Sequence, residues 1–167
     1  VLSPELKTII VMGVSGSGKS HIGSRLAAAL GVTFEDGDDF HPPSNKAKMS
    51  AGTPLTDADR RPWYDILRQR IETMRHTTPL YILACSALKT SYRQWLRADD
   101  APEALRFVLL DGTREIIHQR MSARKGHFMP LSLLESQLAT HQDDSFDAAV
   151  ARHAPALARR TVSTTLR

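Results

Sequence analysis

The chain is poor in cysteine, in long apolar runs and in internal repeats, and each shortage removes a class of protein. Cys85 is the only cysteine among 167 residues. No internal disulfide can therefore staple the fold, and a reducing cytoplasm is the expected setting. As a small thiol in an apolar run, Cys85 reads as a core residue. The longest apolar stretch, residues 9–14, falls far short of the ~20 residues that a membrane-spanning helix needs. No basic-then-apolar leader opens the sequence, and no membrane partner is expected. Repeats, low-complexity tracts and linkers are absent, so residues 1–167 are expected to form a single domain. Charge of one sign is also scarce. Lysine and arginine exceed aspartate and glutamate by 22 to 18, for a net +4 and a pI near 9.5. That is too mild to call for nucleic acid, but it suits a site that holds anions. What remains is 41% hydrophobic and 24% charged, enough for a true core and incompatible with a disordered tail or a collagen-like repeat.

Strand and helix patterns alternate along the chain. Thr8, Ile9, Ile10, Val11 and Met12 form an unbroken apolar run closed by glycine, as a strand buried on both faces should be. Ile22, Leu26 and Leu30 recur at steps of four in a helix over 19–30, which Gly31 ends. Residues 32–34 predict a second strand running into Glu35, Asp36, Gly37, Asp38 and Asp39. Asp57 is expected to cap a long helix striped by Trp63, Ile66, Leu67, Ile71 and Met74. A third strand follows over 80–86, then a helix striped by Leu88, Tyr92, Trp95 and Leu96. A fourth strand over 106–110 leads to a helix over about 114–124. This order predicts an α/β fold with a central parallel sheet, helices on both faces and ligands at the strands' C-terminal ends.

Gly13-Val14-Ser15-Gly16-Ser17-Gly18-Lys19-Ser20 matches G-x-x-x-x-G-K-[ST] between a predicted strand and a predicted helix. The glycines take backbone angles closed to other residues and let the main chain wrap a phosphate. The wrapped N–H groups and the helix N-terminus offer donors and partial positive charge. Lys19 is placed to bridge β- and γ-oxygens, and the Ser20 hydroxyl to ligate Mg²⁺. ATP and Mg²⁺ are the expected cofactors. The Asn-Lys-x-Asp guanine motif of switch GTPases is missing. Asp111 is the one strand-end acid in the place of the Mg²⁺ acid of motors, but Asp111-Gly112 reads rather as a plain strand-end turn. Asp36 and Asp38 follow the second strand. In an extended chain they would point to one side, about 6–7 Å apart, one suited to the metal and one to an acceptor hydroxyl. Asp39 reads as a solvated neighbour.

Several further segments complete a pattern. They are Asp36-Gly37-Asp38-Asp39-Phe40-His41-Pro42, Asn45 with Lys48-Met49, Pro54-Leu55-Thr56-Asp57-x-Asp59-Arg60-x-Pro62-Trp63, Cys85-Ser86-Ala87-Leu88-Lys89-x-x-Tyr92-Arg93, and Arg124-Lys125-Gly126-His127-Phe128-Met129. Together with the phosphate loop, over roughly residues 7–139, they resemble the gluconate kinases of the shikimate-kinase-like P-loop group. The resemblance implies a P-loop kinase fold with a small lid. It also implies ATP- and Mg²⁺-dependent phosphorylation of the 6-hydroxyl of D-gluconate by a cytoplasmic homodimer.

The residue types suit that chemistry. Gluconate is a hydroxylated monoanion, and Arg60, Lys89 and Arg93 are candidate partners for its carboxylate, with arginine favoured by its two-pronged geometry. His41 is a candidate for a substrate hydroxyl. Asp38 would orient or deprotonate the acceptor, and Asp36 would support the metal. Trp63 reads as core, and Lys48 as a surface helix residue. Arg120, Arg124 and Lys125 would belong to a lid over about 120–141, closing on ATP and bringing charge to the transferring phosphoryl. His127 reads as a lid hydrogen-bonder, since no partner has zinc spacing.

Past Thr140 the resemblance stops. The family pattern continues with an acidic, proline-containing turn, an apolar fifth strand and a last helix, whereas residues 141–167 read as an Ala/Arg-rich stretch with no buried strand. Two other readings stay open at this level: a kinase for another small metabolite such as shikimate, and a nucleotide-binding regulatory domain without turnover.

Overall fold

The computed structural model describes residues 4–123 and 131–142. Strand β1 (Thr8–Met12) is buried along its whole length. Its side chains alternate between two cores, as the two-residue strand period requires. Ile10 and Met12 face a cluster built with Trp63, Tyr64, Leu67 and Leu96, whereas Ile9 and Val11 face one built with Ala27 and Ile82. Helix α1 (Lys19–Leu30) covers the second face and ends at Gly31 in the left-handed region, as predicted.

Three more strands, β2 (Thr33–Asp36), β3 (Tyr81–Ala84) and β4 (Leu105–Leu109), complete a parallel sheet in the order β2-β3-β1-β4. The expected α/β architecture is present, with helices on both faces. Because β3 and β4 flank β1, the chain changes direction across the sheet beside β1. The loops after β1, β2 and β3 therefore converge at one edge, where such sheets hold their ligands.

Helix α2 (Pro43–Ser50) leads to the long helix α3 (Asp57–Arg75). Its cap differs from the expectation. Thr56, not Asp57, is the N-cap, in a reciprocal box with Asp59. The stripe also shifts: Tyr64 is fully buried where Ile66 is only half-buried. That move lets Tyr64 pack between Trp63 and Tyr92, with ring centroids at 4.7 and 5.0 Å. Helix α4 (Thr90–Arg97) packs on α3 through Tyr92 and Leu96. Helices α5 (Arg114–Ala123) and α6 (Leu131–Gln142) lie beside the loop after β1, where Ile117, Met121 and Leu134 bury Val14. Arg114 and His118 of α5 both meet Glu135 of α6. Of the segment 120–141 expected as a lid, residues 120–123 and α6 are described. Arg124, Lys125, Gly126, His127 and the divergent tail from 143 lie outside the described residues.

Candidate active site

The loop over residues 13–20 joins β1 to α1, with Gly13, Gly16 and Gly18 all at positive φ. At Gly16 (φ 81°) a Cβ would lie 2.7 Å from the Met121 side chain, so only glycine lets α5 press on the loop. The Lys19 ammonium folds back and donates to the Val14 carbonyl at 3.0 Å. The Arg120 guanidinium reaches the Ser17 carbonyl at 3.4 Å from α5. The amide of Ser15 donates at 2.6 Å to the side-chain oxygen of Gln137 on α6.

The second-strand carboxylates are arranged differently from the extended pair expected. β2 ends at Asp36, and residues Gly37–Phe40 form a turn of 3-10 helix. Asp36 caps that turn by accepting from the Asp38 amide at 3.0 Å, so the two side chains do not share one strand face. The physical reason is the carboxylate's own preference for the free N–H groups of a turn. Gly37 then passes so close to β3 that a Cβ would meet the Ala84 carbonyl at 2.7 Å. Asp36 accepts a hydrogen bond from the Ser20 hydroxyl, whereas Asp38 lines the cleft.

Ser15, Lys19, Asp38, His41, Arg60, Ser86 and Gln137 line a single cleft, with Met49, Leu55 and Leu133 as an apolar wall. His41 is buried and stacked on Trp63 at 3.9 Å between ring centroids, nearly parallel at 17°. Trp63 is itself anchored by its indole N–H, which donates to the Gly37 carbonyl at 2.8 Å. Burial, reinforced by the cations of Arg60 and Lys46, holds the imidazole pKa down to about 3. His41 is therefore neutral at any physiological pH.

Lys89 and Arg93 stand apart from the residues lining the cleft. The Lys89 ammonium is paired with Asp57 at 2.9 Å, beside the Tyr92 hydroxyl bound to the same carboxylate. The Arg93 guanidinium donates to the carbonyls of Ala87 and Leu88 and to Thr90. It thereby braces a turn in which Ala87 takes a positive φ of 44°. Arg60 is the member of the three that reaches the cleft, its guanidinium 5.7 Å from the Tyr92 ring.

Other expectations resolve simply. Asp111 is exposed and accepts from the Gly112 amide at 2.9 Å. Cys85 is buried in the core, and burial pushes its thiol up to about 12, so it is no nucleophile. Lys48 pairs with Asp59 at 2.7 Å. Trp63 is core, as its stripe suggests, yet it also seats His41. The structure adds two residues that sequence reasoning left without a role, Asn45 and Gln137. Asn45 stood inside a quoted motif, but nothing local to Gln137 signals the cleft. Its partner Ser15 is 122 positions away.

Ser20 and Asp36 are hard oxygen donors suited to Mg²⁺. Among the described residues no group of three or more His, Cys, Asp or Glu could hold a metal on its own. A cation here would take its remaining ligands from phosphate oxygens and water, which is the habit of Mg²⁺ in kinases.

Residues 9–144 match the family model of an AAA domain. The gluconokinase of Gluconobacter oxydans (strain 621H) is 47% identical over 148 residues, covering 86% of this chain and 80% of that protein. An unliganded sugar kinase from Janibacter sp. HTCC2649 superposes with a TM-score of 0.76 at 45% identity, over 85% of this chain and 80% of the other. For a gluconokinase from Sinorhizobium meliloti 1021 the TM-score is 0.73 at 41% identity, over 96% and 98% of the two chains. Identity at this level across nearly the whole phosphate-binding fold is carried by common descent rather than by architecture alone, and the chain belongs to the gluconokinase family of small-molecule P-loop kinases.

Proposed function

We propose that this chain transfers the γ-phosphoryl group of ATP to the 6-hydroxyl of D-gluconate, giving 6-phospho-D-gluconate. The observation that carries the reading is the cleft itself, where a phosphate loop, a carboxylate and an arginine face one another. The loop amides and Lys19 hold the β- and γ-phosphates, and Arg120 adds charge from α5. Asp38 orients the acceptor hydroxyl and takes its proton as the bond to phosphorus forms. Arg60 pairs with the substrate carboxylate, with His41 on a hydroxyl. In this reading Lys89 and Arg93 brace the segment before α4 through Asp57 and the Ala87 and Leu88 carbonyls rather than touch the carboxylate. Mg²⁺ bound by Ser20 and Asp36 would neutralise developing charge between the phosphates. Arg124 remains the proposed donor to the transferring phosphoryl.

The remaining parts of the reading are a homodimer in the cytoplasm, working in carbohydrate metabolism on gluconate without nucleic-acid or membrane partners. Among the described residues no helix is long and apolar enough to cross a membrane.

A coupled ADP-release assay across gluconate, shikimate and nucleoside monophosphates tests the reaction. Turnover should be confined to gluconate and should require Mg²⁺. Preferential turnover of shikimate or a nucleotide would overturn the substrate assignment, and ATP binding without any product would overturn the kinase reading.

A further inference from the structure

The imidazole of His41 has a neighbour on one face and at each ring nitrogen. Trp63 covers one face, Asn45 meets Nδ1, and Asp38 lies nearest Nε2, with Oδ1 at 3.8 Å. Arg60 and Lys46 are the cations whose fields reach the ring. The orientation of the Asn45 amide decides the protonation pattern. Its Nδ2 donates to the Asp59 carbonyl at 2.9 Å, so the nitrogen end is the one facing α3. The same Nδ2 lies 3.4 Å from His41 Nδ1. An NH₂ group facing a ring nitrogen needs a lone pair there. Nδ1 is thereby the acceptor, and the ring proton resides on Nε2.

We infer that Asn45 is a positioning residue that holds His41 as the neutral Nε2–H tautomer, so that the cleft beside Asp38 offers a hydrogen-bond donor to the oxygen of an uncharged acceptor hydroxyl. A hydroxyl oxygen about 2.8 Å from both groups accepts from His41 Nε2–H while donating its own proton to Asp38. Its remaining lone pair is then free of both groups, in a cleft that Lys19 and Ser15 of the phosphate loop also line. The alternative state shows why the tautomer matters. An imidazolium would present a second N–H to the Asn45 NH₂, leaving two donors opposed, and would ion-pair with Asp38. That pairing would draw the carboxylate away from the hydroxyl and lower its basicity. Burial and the two cations act in the same direction as Asn45, against protonation. Asp59 enters twice, since its carbonyl orients Asn45 and its carboxylate closes the cap of α3. The cap of α3 and the hydrogen-bonding state of the cleft are thus linked through one amide.

The tautomer assignment stands on the protein alone, whereas the part played by the hydroxyl rests on the phosphotransfer reading. Two measurements separate them. Side-chain ¹⁵N–¹H correlation spectra of the full chain, with His41 assigned by its loss in His41→Gln, should show a neutral Nε2–H ring from pH 5 to 8. An Nδ1–H ring, or titration of His41 within that range, would overturn the inference without any further variant. Asn45→Asp places an acceptor at Nδ1 and should turn His41 into an imidazolium or an Nδ1–H ring near neutral pH. The same variant should raise the KM for gluconate about tenfold, the cost of one lost hydrogen bond in a cleft, and give kcat/KM a new acid limb. Affinity for a non-hydrolysable ATP analogue should stay within twofold. An unchanged ring state in Asn45→Asp would also overturn the assignment. If the spectra behave as stated but gluconate is not phosphorylated, the reaction proposed above falls and the Asn45–His41 assignment stands.

Discussion

Gln137→Glu is the substitution that tests most sharply how α6 and the phosphate loop share one donor. The Gln137 oxygen accepts from the Ser15 amide at 2.6 Å, and that amide belongs to the wrapped main chain that receives phosphate. Glutamate keeps the shape and the acceptor, and a hydrogen bond to an ionised acceptor is roughly twice as strong. It also brings a negative charge to the edge of the phosphate site. Two unit charges about 4 Å apart repel by about 4 kcal/mol at an effective dielectric of about 20, which sets a ceiling near a thousandfold. Gln137 is half-buried in an open cleft, so solvent reduces the penalty. The expected loss of affinity for a non-hydrolysable ATP analogue is therefore roughly ten- to a hundredfold, with a smaller loss for ADP. Titration calorimetry at low and high salt measures it, and added salt should shrink the difference. Gln137→Met removes the acceptor without adding charge, so it should bind the analogue as well as the parent or better. A Glu variant within twofold of the parent at low salt would refute the idea that phosphate and Gln137 compete for the Ser15 amide.

Four further outcomes follow from the cleft. Lys19→Ala should abolish phosphorylation in the coupled assay, because it removes the loop's own cation, and near-normal turnover would sink the phosphate-loop assignment. Asp38→Asn should lower kcat roughly 10²-fold or more while analogue binding survives, a size typical of a general base; a harmless substitution would move that role elsewhere. Arg60→Ala should raise the KM for gluconate at least tenfold, whereas Arg93→Ala should chiefly lower the melting temperature, since its donors are spent on the Ala87 and Leu88 carbonyls. The reverse pattern in steady-state kinetics would place the carboxylate on Arg93. Trp63→Phe keeps a ring under His41 but strands the buried Gly37 carbonyl. It should cost about 1–3 kcal/mol, read as a fall of roughly 3–10 °C in Tm, and an unchanged Tm would show that the indole bond contributes nothing.

Much of the architecture and of the phosphate loop is legible in the linear chain, because both depend on local rules. The run over 8–12 reads as a doubly buried strand, and it is one. Gly31 stops α1 where the pattern says it should. The loop glycines stand at positive φ because the turn leaves no other choice. Where local propensity competes with a nearby backbone, the reading slips. The residues after Asp36 read as extended, yet the Asp36 carboxylate captures the Asp38 amide and the chain curls into a turn. Asp57 looks like a cap, but Thr56 wins because Asp59 can return the bond. Arg60, Lys89 and Arg93 are all candidates for a substrate carboxylate in the linear chain, and the fold sorts their surroundings: Lys89 pairs with Asp57, Arg93 donates to two carbonyls, and Arg60 lines the cleft.

What the amino-acid sequence determined unaided is therefore the fold class and the phosphate loop, which follow from periodicity, glycine placement and motif spacing, and the inventory of chemical groups; the family came from the resemblance of its motifs. Which of those groups share a cleft was decided only in three dimensions. Ser15 meets Gln137 across 122 residues, Trp63 meets Gly37 across 26, and Asn45 meets the carbonyl of Asp59 across 14. Such partners are chosen by how the helices seat on the sheet, and a hydrogen bond between distant positions leaves no period in the chain to read.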